Sequence, residues 1–186
     1  PDRAARNLRR GAAQIIGIVI SDLQNPFFTS LIRGIEQTIE EDNFTLLLSN
    51  TDEDPRRESM QLRTLQAERV SGIIIAPCRQ ESEMLRKLAV QHMPIVLIDR
   101  NLARPKLDTV TVRNQEAACE AVHHLVSLGH KRIAWISGPE RVSTAAERQQ
   151  GFLEGIQAAG LTIPEAYVQI GDYRQESGYQ AMKRLL

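Results

Sequence analysis

In Gln14-Ile15-Ile16-Gly17-Ile18-Val19-Ile20-Ser21-Asp22-Leu23-Gln24-Asn25-Pro26-Phe27-Phe28 an apolar run gives way to polar groups and then to two aromatic rings. The run is short and almost continuous, as expected of a parallel strand covered on both faces. A helical pattern follows from Phe27 to about Glu41, with Phe28, Leu31, Ile32, Ile35 and Ile39 on one stripe. Polar side chains therefore stand where a strand hands over to a helix, which is where open α/β sheets bind ligands. An Asn beside a pair of rings suits a small polyol, the rings covering C–H faces and the amide bonding hydroxyls. On this stretch alone a second reading is equally open: Phe27 and Phe28 as core, and Asn25 as an N-cap before Pro26.

Outward from it, the chain alternates. Strands are predicted over 14–21, 44–49, 72–76, 94–99, 109–112, 132–137 and 167–170, and helices near 27–41, 55–68, 81–91, 114–128, 143–159 and 175–185. Gly129 and Gly160 follow helices as C′ residues, and Pro26 and Pro55 stand at helix starts. Such βαβ repetition specifies an α/β fold with doubly wound parallel sheets. The pattern restarts after Thr109-Val110-Thr111-Val112, so residues 12–113 and 114–186 are expected to form separate lobes, with 1–11 as a linker. The second lobe shows only two clear strands. A sheet that small rarely stands alone, which leads us to expect a truncated lobe.

The strands end alike, in Ile20-Ser21-Asp22, Leu48-Ser49-Asn50, Ile98-Asp99-Arg100 and Ile136-Ser137-Gly138, and parallel strands bring their ends to one sheet edge. Asp99 and Arg100 offer acceptors and a planar donor fork against sugar hydroxyls, or else pair with each other. Arg148 falls about one turn into a helix that Ser143 or Thr144 can cap. Buried there, it can hold two vicinal hydroxyls or a carboxylate; at the surface it would pair with Glu147 or Glu154.

Composition is that of a globular chain: 186 residues, 42% hydrophobic and 25% charged. No apolar run approaches the roughly 20 residues of a membrane-spanning helix, so no membrane contact is expected. The start lacks both an apolar signal segment and an initiator Met, so an N-terminal part is expected to precede it. Cys78 and Cys119 make no disulfide framework, in keeping with a reducing cytoplasm. Net charge is zero, yet the first ten residues hold four arginines against one aspartate; their +3 leaves −3 elsewhere. A basic leader on a slightly acidic body points to nucleic-acid contact at one end, or to a solvated tail. Cys119 and His123 share a helix face without further ligands, so no metal is expected. The histidines stand near no nucleophile motif, Gly-x-Gly-x-x-Gly and P-loop patterns are absent, and neither a catalytic residue nor a cofactor is predicted. Trp135 reads as a strand residue packed between layers.

Ala5-Arg6-Asn7-Leu8-Arg9-Arg10-Gly11, Ile16-Gly17-Ile18-Val19, Asn25-Pro26-Phe27-Phe28, Val70-Ser71-Gly72-Ile73-Ile74-Ile75, Gly129-His130-Lys131-Arg132-Ile133-Ala134-Trp135-Ile136-Ser137-Gly138-Pro139, and Arg148 with Gly151-Phe152 together resemble the LacI/GalR family of bacterial transcription regulators. The resemblance implies a core like that of periplasmic ribose-type binding proteins: two Rossmann-like lobes that close on a small effector in the cleft between them. It also implies that residues 2–9 are a hinge helix, with Ala5, Leu8 and Arg9 as DNA contacts and Leu8 as the minor-groove wedge. Asn25, Phe27, Phe28, Asp99, Arg100 and Arg148 match sugar-contacting positions, and Ser21 and Thr144 stand beside them as further ligand candidates. Ala76 departs, since ribose-binding relatives carry Asn there. The family's helix-turn-helix headpiece and the second half of its core have no counterpart in these residues. The implied function is a cytoplasmic, homodimeric repressor that answers a ribose-like pentose or a hexose by changing its affinity for operator DNA. A periplasmic sugar-binding protein of the same fold is the alternative.

Overall fold

A computed structural model describes residues 14–139 and 141–186. The chain divides between Thr111 and Val112 into two compact units.

In the first unit, strands β1 (Ile15–Ile20), β2 (Thr45–Asn50), β3 (Gly72–Ile75), β4 (Ile95–Ile98) and β5 (Asp108–Val110) form one sheet in the order β2-β1-β3-β4-β5. All four pairings are parallel. Helices α1 (Pro26–Glu40), α2 (Pro55–Ala67) and α3 (Glu83–Val90) connect them. Neighbouring residues of β1 serve opposite faces. Ile18 and Ile20 pack with Phe28 of α1, Ala76 and Ile98, whereas Val19 packs with Leu62 and Leu65 of α2 and Leu85 and Leu88 of α3. Burial on both faces explains why β1 reads as continuously apolar rather than alternating.

The helix starts follow the local chemistry. Asn25 Oδ1 accepts from Phe27 N at 3.0 Å with Pro26 at N1, and Asp54 Oδ1 accepts from Arg56 N at 2.8 Å with Pro55 at N1. Ser82 caps α3, so that helix begins two residues later than its pattern predicts.

The second unit holds α4 (Asn114–Ser127), β6 (Trp135–Ser137), α5 (Ser143–Ala158), a 3-10 turn (Glu165–Tyr167), β7 (Val168–Ile170) and α6 (Gln175–Leu185). β6 and β7 pair in parallel from Trp135↔Val168 to Ser137↔Ile170. Because β7 offers only three residues, β6 is shorter than the predicted 132–137. Val122, Ile133, Phe152 and Ile156 form the core, with Trp135 stacked on Phe152 at 5.0 Å and 19°. The expected cap of α5 is corrected: the helix starts at Ser143 as its pattern predicts, but the N-cap is Val142, without a side-chain bond, and neither Ser143 nor Thr144 caps it. Gly129 and Gly160 occupy the expected C′ positions at φ +87° and +63°.

Candidate functional site

The strand order of the first unit reverses between β1 and β3: the chain leaves β1 for β2 on one side and returns to β3 on the other. Ligands of doubly wound sheets bind outside the carboxyl ends of the strands at such a point. The residues at those ends are Ser21, Asp22, Ala76, Asp99 and Arg100.

Ser21 is fully buried, and its hydroxyl has no hydrogen-bond partner among the described residues. Its carbonyl accepts from Glu53 N at 2.9 Å. Asp52 and Glu53 are consecutive residues of left-handed conformation, φ 51° and 58°. That tight path turns the Glu53 side chain to Arg100, whose Nη1 and Nη2 donate to Oε2 and Oε1 at 2.8 and 2.6 Å. Arg100 Nη1 also lies 3.3 Å from Pro77 O, and Nε is 3.5 Å from Asp99 Oδ2, close enough to pair though without hydrogen-bond geometry. Burial alone would lower the Arg100 pKa; the Glu53 hydrogen bonds and charge, then Asp99, outweigh it and hold it above the ordinary value. Asp99 is 9% exposed with φ +65°, backbone strain that Asp tolerates better than most residues. The expected Asp99–Arg100 pairing is thus present at long range, but the main partner of Arg100 is Glu53, 47 residues earlier.

The aromatic pair divides in role. Phe28 is 2% exposed and belongs to the core, while Phe27 is 38% exposed. Their rings meet edge to face, 5.2 Å between centroids at 74°. Any aromatic face offered to a ligand here belongs to Phe27, with Phe28 as its backing. Asn25 gives its oxygen to the helix cap, so a bond to a ligand would come from Nδ2.

A further polar cluster lies beside this edge. Thr51 Oγ1 and Cys78 Sγ are 3.1 Å apart, Cys78 N donates to Glu58 Oε2 at 2.7 Å and Ser82 Oγ donates to Glu58 Oε1 at 3.0 Å. Burial pushes the Cys78 thiol up to about 12; the Thr51 bond opposes this and Glu58 adds to it. The thiol is therefore inert and serves packing.

In the second unit the strand ends present Ser137, Gly138 and Tyr173, facing the first turns of α5. Thr144 is 3% exposed. Arg148 Nε donates to Asn114 Oδ1 at 2.7 Å, and Asn114 Nδ2 donates to Glu147 Oε2 at 2.9 Å. Glu154, the other expected partner of Arg148, accepts from Gln115 and Gln150 instead. The Arg148 guanidinium stands 5.9 Å from the centroid of the Tyr173 ring. Tyr173 has φ +66°, and its hydroxyl is buried without a partner among the described residues. Its ring occupies the space a side chain at Gly138 would need: a Cβ there would lie 2.0 Å from the ring Cζ.

Glu53, Asn114 and Tyr173 were not among the site residues expected from the sequence. Tyr173 follows β7 in Gly171-Asp172-Tyr173, so the strand-end rule, applied above to four other strands, would have found it. Ala5, Leu8 and Arg9 lie outside the described residues. Among the described residues no group of three or more metal-ligating side chains occurs, and no helix is long and apolar enough to cross a membrane.

These features define a doubly wound parallel α/β unit with polar side chains at its strand ends, followed by a second α/β unit with a two-stranded parallel sheet. Residues 13–186 match the family described as periplasmic binding proteins and sugar binding domain of LacI family, and the chain belongs to it. It is 31% identical over 188 residues to the ribose operon repressor of Escherichia coli strain K12 and 30% identical over 187 residues to the catabolite control protein A of Priestia megaterium. All of this chain is matched in both comparisons, and it spans 57% and 56% of those relatives' lengths. A solved periplasmic binding protein/LacI transcriptional regulator from Alkaliphilus metalliredigens QYMF, complexed with D-xylulofuranose, superposes with a TM-score of 0.74 at 29% identity, covering 85% of this chain and 56% of that one.

Proposed function

We propose that this chain is the effector-binding part of a bacterial transcriptional regulator, a repressor that answers a small sugar. The observation that carries the reading is Arg148. It is half-buried on the first turns of a helix, fixed through Nε by a neutral Asn114 and set against an aromatic ring. Its two terminal nitrogens have no partner among the described residues, which leaves a planar fork for a pair of hydroxyls. Thr144, on the same helix, is a further candidate in the second unit; in the first unit Asp99, Ser21, Asn25 Nδ2 and the Phe27 ring are candidate acceptor, donor and apolar groups of the kind a polyol needs. Membership of the family and the xylulofuranose-bound relative support the same assignment.

Control of DNA follows by linkage: a sugar that favours one arrangement of the effector-binding part shifts the population toward it and changes operator affinity, typically by about 1–3 kcal/mol per linked site. Residues 2–9, with Ala5, Leu8 and Arg9, are assigned to the operator contact, the protein to a homodimer that associates through first-unit helices, and its site of action to the cytoplasm.

Calorimetry on the full-length protein tests the reading. Arg148→Ala removes two charge-assisted hydrogen bonds worth about 1.5–3 kcal/mol each, so sugar affinity should fall at least about 100-fold with the fold retained. Unchanged affinity would refute the role of Arg148. Leu8→Ala should weaken operator binding and leave sugar binding intact.

A further inference from the structure

We infer that Asp172 and Ser177 form a lock that positions Arg148, acting through Tyr173. The inference rests on the sugar reading of Arg148 above and adds to it the groups that aim the guanidinium. All of these residues belong to the second unit. Asn114 holds Arg148 at Nε alone. A planar fork must be aimed as well as tethered. The surface that aims it is the Tyr173 ring, whose centroid lies 5.9 Å from Arg148 Cζ.

Tyr173 does not hold its place by its own polar group. The hydroxyl is buried without a partner among the described residues, and a Cβ added at Gly138 would come within 2.2 Å of its oxygen. A buried hydroxyl that makes no bond gains nothing from its position. The ring is therefore placed from its backbone end. That end is strained: φ is +66°, a conformation uncommon for a bulky side chain. Such strain persists only where the surrounding structure over-determines it.

One carboxylate and one hydroxyl supply that constraint. Ser177, in the first turn of α6, accepts from Asp172 N at 3.0 Å and donates to Asp172 Oδ1, with Arg174 O at 3.1 Å as its other acceptor. The same Asp172 Oδ1 accepts from Arg174 N at 2.9 Å. Residues 172 and 174 are thus pinned on either side of Tyr173. Gly171 N donates to Ser137 O at 2.7 Å, which ties the lock to β6. The Ser177 hydrogen bond outweighs burial and holds the Asp172 carboxyl below its ordinary value, so this acceptor stays ionised at neutral pH. Neither Asp172 nor Ser177 bonds Arg148, so both are positioning residues.

The test is a double-mutant cycle in the full-length protein, titrated by calorimetry with D-ribose, D-xylose, D-fructose, D-glucose and cellobiose. For the sugar that wild type binds most tightly, Ser177→Ala should weaken binding about tenfold, the scale of one lost hydrogen bond. Ser177→Thr, which keeps the hydroxyl, should bind as wild type does. Adding Ser177→Ala to Tyr173→Ala should cost nothing further, because residues that act through one another are not additive. Losses that multiply, or a Thr variant as weak as the Ala variant, overturn the lock. A second readout needs no sugar. The Arg148 Nε–H resonance, assigned by its absence in Arg148→Ala, should move in Ser177→Ala and return in Ser177→Thr; an unmoved resonance overturns the lock. Silence of wild type toward every sugar overturns the sugar reading alone, and the resonance then decides the lock. If Ser177→Ala does not fold, Asp172→Ala takes its place in both measurements.

Discussion

Gly34 and Gly151 are both helix-interior glycines, and replacing each by alanine should move stability in opposite directions. In an exposed helix interior Ala is favoured over Gly by about 0.8–1 kcal/mol. Gly34 lies on the exposed side of α1, and a Cβ there meets nothing within 4 Å, so Gly34→Ala should realise that gain in full. At Gly151 the added Cβ would lie 1.9 Å from Gln115 O, 2.7 Å from Gln115 C and 3.0 Å from its Cα. Ordinary contact begins near 3.4 Å, so α4 and α5 would have to part by about 1.5 Å. The obstacle is backbone and cannot rotate aside. Overpacking of this kind costs about 1–3 kcal/mol; at the upper end, set against the propensity gain of about 1 kcal/mol, Gly151→Ala should be about 2 kcal/mol less stable than wild type. Parting the seam also loosens the neighbouring contact of Gly155 with Val122, where a Cβ would sit 2.7 Å from Val122 Cβ. Urea unfolding followed by far-UV circular dichroism measures both variants. Fluorescence of Trp135, the single tryptophan of this chain, isolates the second unit. A Gly151→Ala protein as stable as wild type would refute the close approach of the two helices.

Thiol titration at pH 8 should find Cys119 reactive and Cys78 silent until urea is added, because burial holds the Cys78 thiol near 12; two fast thiols from this chain would contradict that. Glu58→Ala should cost about 2 kcal/mol by denaturant titration, since the buried Cys78 N–H loses its acceptor and the Ser82 cap its anchor. A neutral effect would mean that water replaces the carboxylate. Asn114→Ala removes the bond that orients Arg148 and should weaken sugar binding about tenfold in calorimetry while leaving operator affinity of the sugar-free protein unchanged. Wild-type sugar affinity in that variant would show that Arg148 is positioned without it.

The alternation of strands and helices was legible in the sequence because hydrophobic periodicity is a local property: β1 is buried on both faces and reads as a continuous apolar run, while α1 is buried on one and reads as a stripe. Helix starts at Pro26 and Pro55 were equally legible, since a cap and its amide lie two residues apart. The strand-end rule also located Asp99 and Arg100, and the helix start located Arg148, without any knowledge of their partners. What the sequence could not convey is which groups those side chains meet. Asp52-Glu53-Asp54 before Pro55 reads as acids at a helix start, yet only the left-handed turn at Asp52 and Glu53 and the two parallel crossovers that lead from β2 to β3 and on to β4 bring Glu53 onto Arg100, 47 residues away. Asn114 reads as the first residue of a helix, and the packing of α4 on α5 makes it the partner of Arg148, 34 positions later. The split between Phe27 and Phe28 was likewise open, because adjacent helix residues point about 100° apart and only the sheet beneath decides which one is covered. Local chemistry therefore determined the elements and the edge at which the candidate ligand groups stand. Contacts between distant segments, set by strand order and helix packing, decided which charges at that edge are already neutralised.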